Sequence, residues 1–202
     1  EQVLSEDGCA ALQYATSEGY MPLREWIAGR YRKRFGLSID PEEILITHGS
    51  QQTLDILGRI FINEGDPVMI EAPGYLGAIQ AFSQYMPHFH AIPLGEEGPN
   101  PSRLAGALES THPVFSYCIP NSQNPSGISY STWCREELAG LYEDSGTLLI
   151  EDDAYGEIRF TSEKRPSFGS LLPREDVALL GSFSKIVAPG IRLGWLCANR
   201  EI

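Results

Sequence analysis

Thr147-Leu148-Leu149-Ile150-Glu151-Asp152-Asp153 is a short apolar run that ends abruptly in three acids. A run without period-two alternation suits a strand buried on both faces. Before it, Ser131 can cap a helix whose Cys134, Leu138, Leu141 and Tyr142 share one face, and Gly146 can close that helix. After it come two similar runs, Ala178-Leu179-Leu180 and Trp195-Leu196-Cys197-Ala198. Toward the N-terminus the same grammar recurs. Val114–Ile119 ends at Pro120, and Val68-Met69-Ile70 leads into an Ala72-Pro73-Gly74 turn and a helix from about Tyr75. Ile44–Thr47 runs into Gly49-Ser50-Gln51-Gln52 and a helix with Leu54, Leu57, Ile60 and Phe61 on one face. Pro22 suits a first helical turn, and Leu23, Trp26, Ile27, Tyr31 and Phe35 keep an apolar stripe until Gly36. Apolar strands alternating with amphipathic helices predict an α/β fold, a mostly parallel sheet sandwiched by helices. With 202 residues and neither internal repeat nor low-complexity linker, one large domain is expected rather than two small ones.

The composition excludes several function classes. Fifteen Lys and Arg against 27 Asp and Glu leave a net charge of −12, the wrong sign for a nucleic-acid surface. No apolar run approaches the roughly 18–20 residues that span a bilayer. The start, Glu1-Gln2-Val3-Leu4-Ser5-Glu6-Asp7, lacks the basic-then-apolar layout of a secretion signal. Cys9, Cys118, Cys134 and Cys197 form no C-x-x-C pair and read as free thiols of a reducing, cytoplasmic compartment. His48, His88, His90 and His112 stand beside no cysteine or carboxylate at ligand spacing, so no metal site is expected, although His88-x-His90 could put two imidazoles on one side of a strand.

In a parallel sheet ligands bind outside the carboxyl ends of the strands, where this chain places its polar clusters. Gly181-Ser182-Phe183-Ser184-Lys185 follows one strand directly. An isolated lysine is ordinarily a solvated charge, but one desolvated at a strand end becomes a nucleophile that condenses with an aldehyde. Arg192 lies in Gly190-Ile191-Arg192-Leu193-Gly194, as an anion site requires. Ser50 and Gln51 open a helix, either as a phosphate cradle or as an ordinary N-terminus. Asp152 reads either as a cap or surface salt bridge with Arg159 or Lys164, or as a carboxylate facing a cationic ligand nitrogen. Tyr155 adds a phenol in the same loop and Asn124-Pro125 an amide at another strand end, with a cis peptide bond expected there. Neither G-x-G-x-x-G nor a P-loop motif is present.

Six segments together carry a resemblance: Y-A-T-S-E-G-Y-M-P-L-R (14–24), T-H-G-S-Q-Q-T-L-D (47–55), E-A-P-G-Y-L-G-A (71–78), P-N-S-Q-N-P-S-G (120–127), E-D-D-A-Y (151–155) and G-S-F-S-K-I-V-A-P-G-I-R-L-G (181–194). In this order, over nearly the whole chain, they resemble the fold-type I aminotransferases that use pyridoxal 5'-phosphate. The resemblance implies that Lys185 is the lysine that binds the cofactor aldehyde and that Asp152 keeps the pyridine nitrogen protonated. Tyr155 and Asn124 would hydrogen-bond the ring hydroxyl, and Tyr75 would stack on the ring. Ser50, Gln51, Ser182 and Arg192 would bind the phosphate. Tyr14 would reach the phosphate of a neighbouring subunit, implying a homodimer with shared sites.

The resemblance further implies transfer of an amino group between an L-amino acid and a 2-oxo acid such as 2-oxoglutarate. G-S-Q-Q, E-E-G-P and E-D-D-A-Y are most similar to the branch acting on 2-aminoadipate, aromatic and branched amino acids. Residues 1–202 would be the large cofactor-binding domain. The chain stops at Glu201-Ile202, so the C-terminal small domain, with the arginine for the substrate α-carboxylate, and a full N-terminal arm are expected to be missing. Arg24, Arg30 and Arg159 read as surface charges. Two alternatives share the motifs: the aminotransferase-like effector domain of a GntR/MocR-type transcription regulator, and a β-lyase or aminocyclopropane-carboxylate synthase reaction on the same fold.

Overall fold

The computed structural model describes residues 2–159, 164–200 and 202. Glu1 of the acidic start and Glu201 at the other end lie outside them. The described helices are α1 (Gln2–Ala11), α2 (Met21–Phe35), α3 (Ser50–Phe61), α4 (Leu76–Ser83), α5 (Pro101–Thr111) and α6 (Thr132–Ser145). The strands are β1 (Ile44–Thr47), β2 (Pro67–Ala72), β3 (His88–Gly95), β4 (Gly98–Pro99), β5 (Phe115–Cys118), β6 (Leu149–Asp152), β7 (Val177–Ser182) and β8 (Gly194–Cys197).

They form one sheet in the order β1-β8-β7-β6-β5-β2-β3-β4. The run from β7 to β3 is parallel throughout, while β8 is antiparallel to both its neighbours and β4 to β3. The inner strands β5, β6 and β7 are buried at every residue, as continuous apolar runs require. Their side chains alternate between two cores. Leu149, Val177 and Leu179 meet α2, α5 and α6 on one face, whereas Ile150, Ala178 and Leu180 meet α3 and α4 on the other. The expected α/β sandwich is therefore present.

Helix ends follow the local signals. Ser131 Oγ accepts from Cys134 N at 3.1 Å, and Gly36 and Gly146 end α2 and α6 in the left-handed conformation. Four elements go unread in the sequence: α1, α5, and the outer strand β3 with its partner β4. β3 carries Pro93 and is mostly half-buried or exposed, so it shows no apolar run. α5 buries only Leu104 and Leu108, one helical turn apart, although Asn100 caps it by accepting from Arg103 N at 3.1 Å.

The topology brings the carboxyl ends of β2, β5, β6 and β7 to one edge of the sheet, and β1 delivers Thr47 and the start of α3 there too, since Gly194 pairs with both Thr47 and Ser182. Gly194 is what lets α3 approach. A Cβ there would lie 2.6 Å from Ser50 N and 2.7 Å from Gly49 C, both backbone atoms. Gly194→Ala must push the start of α3 off the sheet, an overpacking cost of roughly 1–3 kcal/mol. Thermal unfolding is expected to shift down by about 2–4 °C per kcal/mol. An unchanged midpoint would show that α3 yields freely.

Candidate active site

Three consecutive acids at the end of β6 meet three environments. Glu151, 1% exposed, accepts from Ser167 Oγ at 2.6 Å and Phe168 N at 2.8 Å, and burial pushes its carboxyl up to about 7. Asp153 accepts from Asn121 Nδ2 at 2.7 Å and pairs with Arg34 at 3.3 Å. Asp152, 2% exposed, accepts from Tyr117 Oη at 2.8 Å on Oδ2, while its buried Oδ1 has no partner. Burial pushes the Asp152 carboxyl up to about 6; the Tyr117 hydroxyl opposes the rise, Asp153 adds to it, and the Ala154 backbone amide again opposes it. Buried and held by a phenol, Asp152 is not the surface salt bridge that the sequence also allowed.

Asp152 forms one wall of a 320 Å³ cleft along the carboxyl edge of the sheet. Lys185 lines it from the turn after β7, with Nζ 5.8 Å from the centre of the Tyr155 ring. Lys185 is exposed, so the desolvation expected of a strand-end lysine is not supplied by the described residues. The cleft is open on that side. Tyr155 and Asn124 also line it, and the Asn124 amide donates to Tyr155 Oη across a long 3.5 Å. Tyr75 stands as the N-cap residue of α4, half-buried, its hydroxyl pushed upward first by burial and then by Asp152. The Asn124–Pro125 bond is cis, as expected, and so is Ala72–Pro73.

The other end of the cleft gathers groups that an anion would need. α3 begins at Ser50 with no side-chain cap; Gln52 N donates to Gly49 O at 3.2 Å, and the amides of Ser50 and Gln51 before it have no intrahelical acceptor. Gly49, at φ +77°, lets the Arg192 guanidinium lie against this turn, where a Cβ would meet Nη2 at 2.9 Å. Ser50, Gln51, Ser182 and Arg192 all line the cleft, and Gln51 Nε2 donates to Gly77 O at 2.8 Å, tying α3 to α4. Of the residues singled out from sequence, Tyr14 alone stands apart, 99% exposed.

Two arginines read as surface charges are not. Arg24 is 3% exposed and donates to Pro41 O at 2.8 Å; the Arg30 side chain is 8% exposed, paired with Glu157, and lies 5.1 Å over the Trp195 ring. Their stems pack along the inner side of α2 while each head finds a partner. Arg159 is exposed.

The sequence reading also missed supporting residues. Tyr117 shares a sheet face with Ile150 and lies one strand from Asp152, so a lone phenol in an apolar strand was its available signal. Arg135 is fully buried and donates to Tyr130 O, Pro166 O, Pro120 O and Asn121 Oδ1, tying the loops behind Asp153 together. Glu71, pushed up to about 7 by burial, accepts from Tyr130, Gln123 and Ile119 N. Nothing in the sequence separates Glu71 from a surface acid.

The family profile described as Aminotransferase class I and II matches residues 2–202. The chain is 42% identical to a 2-aminoadipate transaminase of Thermus thermophilus over 99% of its own length and 50% of the relative's. It is 40% identical to aromatic-amino-acid aminotransferase 1 of Thermococcus litoralis, over 98% of this chain and 49% of that protein. The crystal structure of LysN, an α-aminoadipate aminotransferase of Thermus thermophilus complexed with N-(5'-phosphopyridoxyl)-L-leucine, superimposes with a TM-score of 0.92 at 42% identity, covering 99% of this chain and 51% of that one. The chain thus spans about half the length of the relatives it matches. A profile match across essentially all its residues, on the fold and cleft described above, places this chain in the class I and II aminotransferase family.

Proposed function

We propose that this chain is the cofactor-binding large domain of a pyridoxal phosphate-dependent aminotransferase. The observation that carries the reading is the buried, unpartnered Oδ1 of Asp152 in the same cleft as Lys185, with an anion cradle at the cleft's other end. A group carrying a cationic ring nitrogen, an aldehyde and a phosphate matches these three features, so the residues present fit the cofactor. When bound, pyridoxal phosphate supplies an aldehyde that captures amines and a protonated ring that draws electrons from the substrate α-carbon.

The chain's own residues do the rest. Asp152 holds the proton on the ring nitrogen, and Tyr117 keeps the carboxylate turned for it. Tyr155 and Asn124 orient the ring through its hydroxyl, and Tyr75 offers an aromatic face. Ser50, Gln51, Ser182 and Arg192 anchor the phosphate. Lys185 Nζ takes the proton from the substrate α-carbon as general base and delivers it as general acid. The donor is read as 2-aminoadipate or an aromatic or branched amino acid and the acceptor as a 2-oxo acid such as 2-oxoglutarate, supported by the names of the most similar relatives. A homodimer sharing sites through the exposed Tyr14 belongs to the same reading. Among the described residues no helix is long and apolar enough to cross a membrane, and the buried free thiols of Cys118, Cys134 and Cys197 support a cytoplasmic setting.

The raised Asp152 carboxyl sets a pH dependence without cofactor. The folded chain keeps this proton up to about pH 6, whereas an ordinary aspartate releases it near 3.8. The unfolded chain therefore binds fewer protons between these values, and this group's stabilising contribution is lost as pH rises through them. By neutral pH the loss is on the order of 3 kcal/mol. Asp152→Asn, which has no proton to lose, is expected to gain melting temperature relative to wild type between pH 4.5 and 7.5. A gap independent of pH contradicts the assignment.

The catalytic test uses the full-length protein. With pyridoxal phosphate it is expected to show a bound-cofactor absorption band that shifts on adding 2-aminoadipate. Lys185→Ala is expected to lose at least about 10³-fold in transamination with 2-oxoglutarate. A Lys185→Ala protein that still transaminates at the wild-type rate sinks the proposal.

A further inference from the structure

Behind the cleft, two buried side chains that make no contact with its interior connect two of its walls. Glu71 is the second-last residue of β2 and 4% exposed; Gln123 lies in the loop after β5 and is 1% exposed. Gln123 Nε2 donates to Glu71 Oε2 at 3.1 Å and to Pro73 O at 2.7 Å. Its Oε1 accepts from Ser126 N at 2.8 Å and Ser126 Oγ at 2.6 Å. All the heteroatoms of this one amide are thus engaged, some toward the turn that leads to Tyr75 and the rest toward the turn that holds Asn124. Glu71 fixes the other side of the joint. Its Oε1 accepts from Ile119 N at 3.1 Å and from the Tyr130 hydroxyl.

We propose that Glu71 and Gln123 are positioning residues, a clamp that sets the Tyr75 ring and the Asn124 amide at a fixed separation across the cleft. The inference rests on the pyridoxal phosphate reading, since ring stacking and ring-hydroxyl contact are what the two walls would provide. Neither residue touches the cofactor space. Their effect passes through two backbone attachments, Pro73 O two residues before Tyr75 and the 123–126 turn around Asn124.

The donor and acceptor pattern yields a sharp test. Glu71→Gln sets an amide donor against the Gln123 donor, and Gln123→Glu sets two carboxylates against each other in a buried site. The exchange of both, Glu71→Gln with Gln123→Glu, restores one donor facing one acceptor between the two side chains, but leaves Pro73 O without its donor. Full-length wild type, the two single variants and the exchange are compared for the dissociation constant of pyridoxal phosphate, for kcat and KM, and for thermal unfolding. Each single change is expected to weaken cofactor binding at least 10-fold and lower kcat more than KM rises. The exchange, which restores the 71–123 contact but supplies no donor to Pro73 O, is expected to bind cofactor more tightly than Gln123→Glu while staying below wild type.

Gln123→Met covers the event that a charged single variant does not fold, because it leaves Glu71 its bonds from Ile119 and Tyr130. In that variant without cofactor, amide hydrogen exchange is expected to rise at least 10-fold at 72–76 and 123–128, and to stay unchanged in β6 and β7. A role confined to folding lowers the melting temperature in the single variants while the folded fraction binds cofactor as wild type does; that outcome overturns the clamp. Exchange at 72–76 and 123–128 that is unmoved in Gln123→Met overturns it as well. Failure of wild type itself to bind pyridoxal phosphate overturns instead the reading on which the clamp rests.

Discussion

The carboxylate of Asp152 is withdrawn from water at the end of a parallel strand with only one of its two oxygens hydrogen-bonded. Removing an ion from water is unfavourable by several kcal/mol unless a charge or a full set of donors compensates. The surrounding structure supplies part of that compensation and withholds the rest. Tyr117 bonds Oδ2 from the next strand, while the flanking acids are served elsewhere, Glu151 by Ser167 and Phe168 and Asp153 by Asn121 and Arg34. What is left is one oxygen that a cationic group entering the cleft would satisfy.

The sheet topology gives that oxygen its context. Because β2, β5, β6 and β7 run parallel, each deposits its following loop at one edge, and β1 brings the start of α3 to the same place. Opposite chemical demands are thereby met within one 320 Å³ cleft: a cation-seeking carboxylate, and an anion-seeking helix start with Arg192 beside it. Close approach at that end depends on Gly194, where a side chain would collide with the backbone at the start of α3, and on Gly49, whose positive φ disfavours a side chain and which lies against Arg192. Behind the cleft, Arg135 and the Glu71–Gln123 pair hold the loops to the sheet through buried bonds.

The inner strands, the helices α2, α3, α4 and α6 and the polar strand ends were all legible, because each rests on a local signal: an apolar run, a capping Ser131, a closing Gly146, a Lys185 after a buried strand. β3 and α5 were not, since an outer strand interrupted by Pro93 and a helix with two buried leucines leave little periodicity to read. The misjudged arginines show a second limit. Arg24 and Arg30 look like any helical surface charges, and only tertiary packing reveals the Pro41 carbonyl and the Trp195 ring that receive them. Tyr117, Glu71 and Gln123 were invisible for the same reason: their partners lie 35, 48 to 59, and 52 residues away in sequence.

The proposed function turns on what Asp152 would do to a ring nitrogen placed in the cleft. The most direct measurement is the ¹⁵N chemical shift of ring-labelled pyridoxal phosphate bound to the full-length protein, followed from pH 6 to pH 8.5 in wild type and in Asp152→Asn. A protonated ring nitrogen is predicted throughout that range in wild type, and an unprotonated one in the variant. An unprotonated nitrogen in wild type at neutral pH, or identical shifts in the two proteins, would contradict this role for Asp152.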